Sequence, residues 1–327
     1  MSDRALIACL GAGRMARGIA VMFAYAGHPV IIVDVKIRDR AGFETTAKEA
    51  IGEVEATLRT LSQFGLFPAG ALGQIVERVS VIRETDAVEI LGSSAVIFEC
   101  VPEVLDLKRE VLARASAAAG PQVIIASTTS TILVDDLSSA VAQPERFLNA
   151  HYLNPAFLVP LVEVSPGAGT DPAVVERLKM LLESIGKVPV VCAARPGFIM
   201  PRIQALAMNE AARLVEEGVA SAADVDKAIK CGFGLRFAVL GLLEFIDWGG
   251  GDILYYASRY LTGALQNDRY AAPDIVERNM HEGRIGLRTR KGFLDYENLD
   301  IDTYRRDRLE AFVKLLKHFE IMRRPVL

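Results

Sequence analysis

Leu6-Ile-Ala-Cys-Leu-Gly-Ala-Gly-Arg-Met-Ala-Arg-Gly-Ile-Ala20 decides how this chain of 327 residues is read. The apolar run 6–10 reads as a short strand, and a turn of small residues leads into a helical pattern over about 14–26. The turn fits G-x-G-x-x-G/A. Gly11 permits a tight bend, Gly13 lets the backbone approach a pyrophosphate, and Ala16 is small enough for close helix-to-strand packing. The helix start, with Met15 in its first turn, offers amide donors and the positive end of a dipole. Glycine spacing alone is weak evidence, because glycine is common in turns. Context strengthens it here. Asp34 ends the next apolar run about 20 residues on, where a carboxylate binds ribose hydroxyls and repels a 2′-phosphate. That favours NAD over NADP, with Lys36 and Arg38 close by as the opposing signal.

Outward from this unit the pattern repeats. Apolar runs at 30–33, 79–82, 95–98 and 123–126 alternate with helical stretches, the longest over about 41–64. Such alternation predicts a parallel sheet with helices on both faces. Two further strands, 147–151 and 161–164, are joined by a short Asn-Pro loop, and a helix at 173–185 and a strand at 188–192 follow. Ala194-Arg195-Pro196-Gly197 then punctuates the chain, and beyond it nearly everything reads as helix, including 203–217, 222–230 and 308–322. The expectation is an α/β, Rossmann-like doubly wound and mainly parallel sheet over 1–194. An all-helical domain over 195–327 follows it.

Lys plus Arg is 37 and Asp plus Glu is 41, so the net charge of −4 provides no general field for nucleic acid or anionic membrane. Small molecules are the expected partners. Cys9, Cys100, Cys192 and Cys231 are widely spaced and form no CxxC, which signals neither a zinc site nor a disulfide framework and fits a reducing cytoplasm. The apolar start at 5–10 is shorter than a signal h-region of about 7–15 residues. No run approaches the roughly 20 apolar residues of a membrane helix.

Removing a proton from an alcohol near neutral pH suits histidine, and there are four. His28, His281 and His318 fall in polar or turn contexts and read as exposed. His151 ends a strand instead. Twelve residues later Glu163 interrupts an apolar run, where a carboxylate is costly unless paired. If the two strands are neighbours, Glu163 accepts the ring N–H of His151, fixes the tautomer and stabilises the imidazolium. A surface-facing Glu163 on an edge strand, with His151 packed in a turn, fits the spacing equally well. The other dehydrogenase base, Tyr-x-x-x-Lys, is absent, since none of the eight tyrosines has lysine four residues on.

With these residues in hand, the chain resembles the 3-hydroxyacyl-CoA dehydrogenase family over essentially its whole length. The ordered motifs are residues 11–20, Glu99-Cys-Val-Pro-Glu103 with Lys108, Ser127-Thr-Thr-Ser130, His151 with Asn154-Pro155, and Leu161-Val-Glu163-Val. Pro196-Gly-Phe198, Gly283-Arg-Ile-Gly286 and Lys291-Gly-Phe293 complete the series. The resemblance implies a dinucleotide-binding domain followed by a helical domain that forms a homodimer. It makes His151 the base, Glu163 its partner and Ser130 the serine that hydrogen-bonds the reacting oxygen. Glu99, Lys108, Asn154 and Arg288 match positions that help hold NAD. The expected reaction is oxidation of a 3-hydroxyl to a 3-oxo group on a short 3-hydroxyacyl-CoA.

Three features depart from that pattern. Pro201 stands where the family has an asparagine supporting the substrate carbonyl. The usually lysine-rich segment that contacts the CoA nucleotide holds one basic residue over 50–76, Arg59. Gly232-Phe-Gly-Leu-Arg236-Phe-Ala238 resembles members acting on free hydroxy acids, the gulonate and carnitine dehydrogenases, where an arginine clamps a carboxylate. A free 3-hydroxy carboxylate bound by Arg236 is therefore the alternative substrate, and a surface ion pair the alternative role for that arginine. A non-catalytic NAD-binding protein, as when family members serve as lens crystallins, is the alternative of another class.

Overall fold

The apolar runs of the first half assemble into one eight-stranded sheet in the computed structural model, which describes residues 4–322. The strands are β1 (Ile7–Leu10), β2 (Val30–Asp34), β3 (Val79–Arg83), β4 (Val96–Glu99), β5 (Ile124–Ser127), β6 (Phe147–Tyr152), β7 (Leu161–Pro166) and β8 (Val188–Val191). Their order is β3-β2-β1-β4-β5-β6-β7-β8. From β3 to β6 every pairing is parallel. The order reverses at β1, which opens a crevice at the carboxyl ends of β1 and β4. β7 runs antiparallel to β6. Residues 153–160 between them are too few for the crossover of a dozen or more residues that a parallel return needs.

Seven helices accompany the sheet: α1 (Arg14–Tyr25), α2 (Arg40–Gln63), α3 (Leu72–Val76), α4 (Val88–Ser93), α5 (Leu105–Ala118), α6 (Val134–Ser138) and α7 (Pro172–Ser184). Successive β1 side chains point to opposite faces. Ile7 and Cys9 enter a core with Phe23, Leu58, Phe98 and Tyr152, while Ala8 and Leu10 enter one with Val33, Leu91 and Val111. Burial on both faces explains why these strands read as continuous apolar runs. Gly11 turns the chain into α1 at φ +97°, and a Cβ there would stand 3.3 Å from the Cys100 carbonyl oxygen.

Further on come α8 (Met200–Glu216), α9 (Ala222–Ala228), α10 (Leu235–Phe237), α11 (Leu242–Gly249), α12 (Gly251–Leu265), α13 (Asp274–His281) and α14 (Ile301–His318). The expected helix at 222–230 ends earlier as α-helix and continues as a π-helical turn, Ile229–Gly234, so Arg236 lies within α10. The chain divides into two compact units between Ala207 and Met208, inside α8. Among the described residues no helix is long and apolar enough to cross a membrane.

Leu58, fully buried in α2, packs in the same core cluster as the α1 residues Ile19 and Phe23. Leu58→Ala is expected to cost about 2–5 kcal/mol. Phe64, exposed beyond the end of α2, is expected to change stability by under about 0.5 kcal/mol when made alanine. Urea unfolding of the two variants side by side checks this ordering.

Candidate active site

The antiparallel register of β6 and β7 places His151 directly opposite Glu163. Both are buried, Glu163 at 1% exposure and His151 at 8%. Nδ1 of His151 lies 2.7 Å from Oε2 of Glu163. A carboxylate only accepts, so Nδ1 carries the hydrogen and Nε2 is the nitrogen left to take up a proton. Burial removes the surface-facing alternative for Glu163. Its second oxygen, Oε1, accepts from the backbone N–H of Ile199 at 2.9 Å and of Met200 at 2.7 Å. These are opening amides of α8, whose positive end a carboxylate stabilises. Phe198, just before them, stacks on the imidazole with ring centroids 5.7 Å apart and 30° between planes. Its backbone holds φ 42°, a left-handed conformation that costs a non-glycine residue about 1–2 kcal/mol. Such outliers persist where the surroundings over-determine them.

A second polar network lies at the carboxyl ends of β4 and β5. Lys108 donates to both Glu99 oxygens, at 2.9 and 3.0 Å, and to the Val101 carbonyl at 3.1 Å. Glu99 also accepts from Val101 N–H at 2.7 Å and Ser127 Oγ at 2.6 Å. Glu99 and Lys108, two positions expected to help hold NAD, are sealed from solvent. They fasten the loops that follow β4 and β5. Lys108 also stands 3.4 Å from Glu103. Glu103 in turn accepts from the Thr129 hydroxyl, from Ser130 N–H at 3.0 Å, and from the Thr131 N–H and hydroxyl at 3.1 and 2.9 Å. From the other side Asn149, buried on the same strand as His151, donates to the Ile132 carbonyl at 3.0 Å. The Ser130 loop is thus held between β4 and β6. The motif reading did not single out Glu103 or Asn149; an acidic residue at the end of a strand-loop motif was the available signal for the first.

The nucleotide loop borders a cleft of about 510 Å³ lined by Gly11, Gly13, Asp34, Val101 and Leu107. The residues fit a dinucleotide. Nothing lies within 4 Å of where a Gly13 Cβ would be, and the start of α1 carries neither a side-chain cap nor an acidic residue, so its donors are open to an anion. Met15 and Ala16 sit in that first turn, Ala16 fully buried against the sheet. Asp34 is buried and accepts from Arg38 Nε at 2.7 Å and from Lys36 N–H at 3.3 Å. The Arg38 side chain and the Lys36 backbone therefore hold this carboxylate in place. Asn154 lines a separate cavity beside α1.

Two sequence candidates belong to the second unit. Arg236 is exposed, its guanidinium 4.5 Å from the Phe245 ring centre, with no carboxylate partner among the described residues. Arg288 pairs with Asp252 at 2.8 Å. His28 corrects an expectation: it is buried, not exposed, with Nδ1 2.9 Å from the Ala5 carbonyl and its ring edge-on to Phe23. A turn beneath the sheet proved to be interior. His281 and His318 are exposed.

Comparison with known proteins matches residues 6–195 to the family model "3-hydroxyacyl-CoA dehydrogenase, NAD binding domain" and residues 197–296 to the corresponding C-terminal domain. The chain is similar to lambda-crystallin of Oryctolagus cuniculus, 33% identical over 78% of this chain and 77% of the relative. It is similar to 5-formyl-3-hydroxy-2-methylpyridine 4-carboxylate 5-dehydrogenase of Mesorhizobium japonicum, 31% identical over 89% and 90%. Among solved structures, a 3-hydroxyacyl-CoA dehydrogenase of Archaeoglobus fulgidus superposes with TM-score 0.76 at 28% identity, covering 98% of this chain and all of that one.

Glu103 yields a stability prediction. Burial works against its ionisation but is outweighed by hydrogen bonds from Thr129 and Thr131 and by the Lys108 charge, which together push its carboxyl down to about 2. A depressed carboxyl stabilises above its unfolded pKa, and the gain is lost as pH falls through the folded value. Glu103→Gln is expected to cost about 1–2 kcal/mol at pH 7, discounted for partial exposure. The gap to wild type should close between about pH 4.5 and 2, as followed by denaturant midpoints over that range.

Proposed function

Since the chain belongs to the 3-hydroxyacyl-CoA dehydrogenase family and uses NAD, we propose that it oxidises a secondary 3-hydroxyl to a 3-oxo group with His151 as general base. The 2.7 Å bond from His151 Nδ1 to Glu163 carries this reading. Bound NAD supplies the hydride acceptor. His151 Nε2 takes the hydroxyl proton, and the Glu163 carboxylate stabilises the imidazolium that results. Ser130, on the loop clamped by Glu103 and Asn149, donates to the reacting oxygen. The α1 start at Gly13, Met15 and Ala16 holds phosphates, and Asp34 holds a ribose. Glu99 and Lys108 serve the cofactor through the loops they fasten, Asn154 from the β6–β7 loop, and Arg288 by exchanging its Asp252 partner.

The substrate is a short 3-hydroxyacyl-CoA, the class for which the family is named. A free 3-hydroxy carboxylate is the second reading. Arg236 without an acidic partner supports it, as do the scarcity of basic residues over 50–76 and a relative named for a pyridine carboxylate. We further propose a homodimer through the second unit, where Phe237, Leu242, Phe245 and Ile253 line an apolar groove of about 370 Å³.

His151→Gln is expected to lower kcat by about 10²- to 10⁴-fold while NADH still binds. Glu163→Gln should lower kcat too, and should also lower stability, because two α8 amides lose a charged acceptor. Retention of near-normal kcat in His151→Gln would remove the base assignment. NADH formation from paired 3-hydroxyacyl-CoA thioesters and free acids separates the two substrate readings. Arg236→Met should raise KM for the free acids far more than for thioesters if the second is right. Light scattering of the full chain at micromolar concentration checks the dimer.

A further inference from the structure

A recess of about 190 Å³ lies beyond Asp34, where β2 and β3 end. Its charged groups are Asp34, Lys36, Arg38, Arg83 and Glu84, and Phe43 of α2 is an apolar wall. Asp34, Lys36 and Arg38 also border the nucleotide cleft, so the two spaces share that edge. Arg83 comes from β3, where the parallel register makes it the partner of Asp34. Its guanidinium lies 4.8 Å from the centre of the Phe43 ring. Stacking uses the face of a guanidinium and leaves its in-plane N–H groups free to donate.

Cations outnumber the acids available to them. Among the described residues neither Lys36 nor Arg83 has a carboxylate partner, and Arg38 gives only its Nε to Asp34. The other acids are engaged. Glu84 accepts from Arg114 Nε at 2.7 Å and Nη2 at 3.1 Å, and Asp39 caps α2 by accepting from Gly42 N–H at 2.8 Å. Glu49 lines the nucleotide cleft but not this recess. Lys36, Arg38 and Arg83 set against Asp34 leave two positive charges uncompensated, which matches a phosphate monoester dianion. An unpaired aspartate at the ribose would repel such a group. Here Arg38 already holds the carboxylate at 2.7 Å, and the remaining cations stand beside it.

We propose that Lys36, Arg38 and Arg83 bind the 2′-phosphate of NADP, so that the protein accepts the phosphorylated dinucleotide beside NAD. This rests on the reading that Asp34 holds the adenosine ribose, since that reading is what brings the 2′ position to the recess.

The test is fluorescence titration of NADH and NADPH into the full-length protein. NADPH should bind within about tenfold of NADH, and its affinity should fall more steeply with added NaCl because more charges are paired. Arg83→Met should weaken NADPH at least about fivefold and leave NADH within about twofold, a selectivity that misfolding does not produce. Arg83→Lys should recover part of the loss. Asp34→Asn tests the ribose reading by itself and should weaken NADH while NADPH is kept or gains. A wider gap between the dinucleotides or equal salt dependence overturns the phosphate site. So does an Arg83→Met variant that leaves NADPH unchanged or weakens both dinucleotides alike. Arg83-dependent binding of free coenzyme A, whose phosphate sits on the ribose 3′ carbon, with NADPH indifferent to Arg83, overturns it in favour of that nucleotide. Unchanged NADH affinity in Asp34→Asn removes the ribose reading and the 2′ placement with it, whereas the other outcomes strike the phosphate site alone.

Discussion

One carboxylate ties the His151 imidazole to the end of the first unit. Glu163 spends one oxygen on the His151 imidazole and the other on the amides of Ile199 and Met200. Buried at 1% exposure, it would be expensive as an unpaired charge, and its three donors offset that cost. The same bonds fix where α8 starts and how the imidazole turns. Phe198 follows from this, since it is held in a left-handed conformation between the tethered amides and the ring on which it stacks. Imidazole orientation and helix start are therefore one constraint.

The network at β4 and β5 solves a different problem with the same chemistry. Parallel strands end together at the switch point, and their loops need support without filling the crevice. Glu99 and Lys108 provide it from below, each satisfying the other and reaching the Val101 and Ser127 backbone or side chain. Glu103 continues it upward by gathering the Ser130 loop. Charge is fully buried at Glu99 and Lys108 and half-exposed at Glu103, beside the Ser130 loop.

Much of this was legible in the sequence for physical reasons. Strands buried on both faces show as apolar runs, and all eight were read to within two or three residues at their ends. The Gly11 turn and Asp34 carry their chemistry in residue type, and Glu163 stood out because an acid in an apolar strand requires a partner. What sequence does not encode locally was missed or stays undecided. Spacing reads the His151–Glu163 pair as only one of two arrangements, since register alone decides it; the amides of Ile199 and Met200 that Glu163 binds have no side-chain signature. The ion pair between Glu99 and Lys108 was not read from the motif, since burial of a pair depends on residues nine apart folding together. His28 failed likewise, because a Gly-His-Pro turn can tuck beneath a sheet as easily as project from it.

The proline at 201 gains an explanation from the same accounting. The first amides of a helix need acceptors outside it. Oε1 of Glu163 has two lone pairs, and Ile199 and Met200 use both. Arg202 N–H already reaches back to the Gly197 carbonyl at 3.2 Å. Only residue 201 would hold a donor with no acceptor nearby, and proline has none to satisfy, with a φ preset for a helix start. The side chain at this position thus completes the helix start and offers no hydrogen-bond donor.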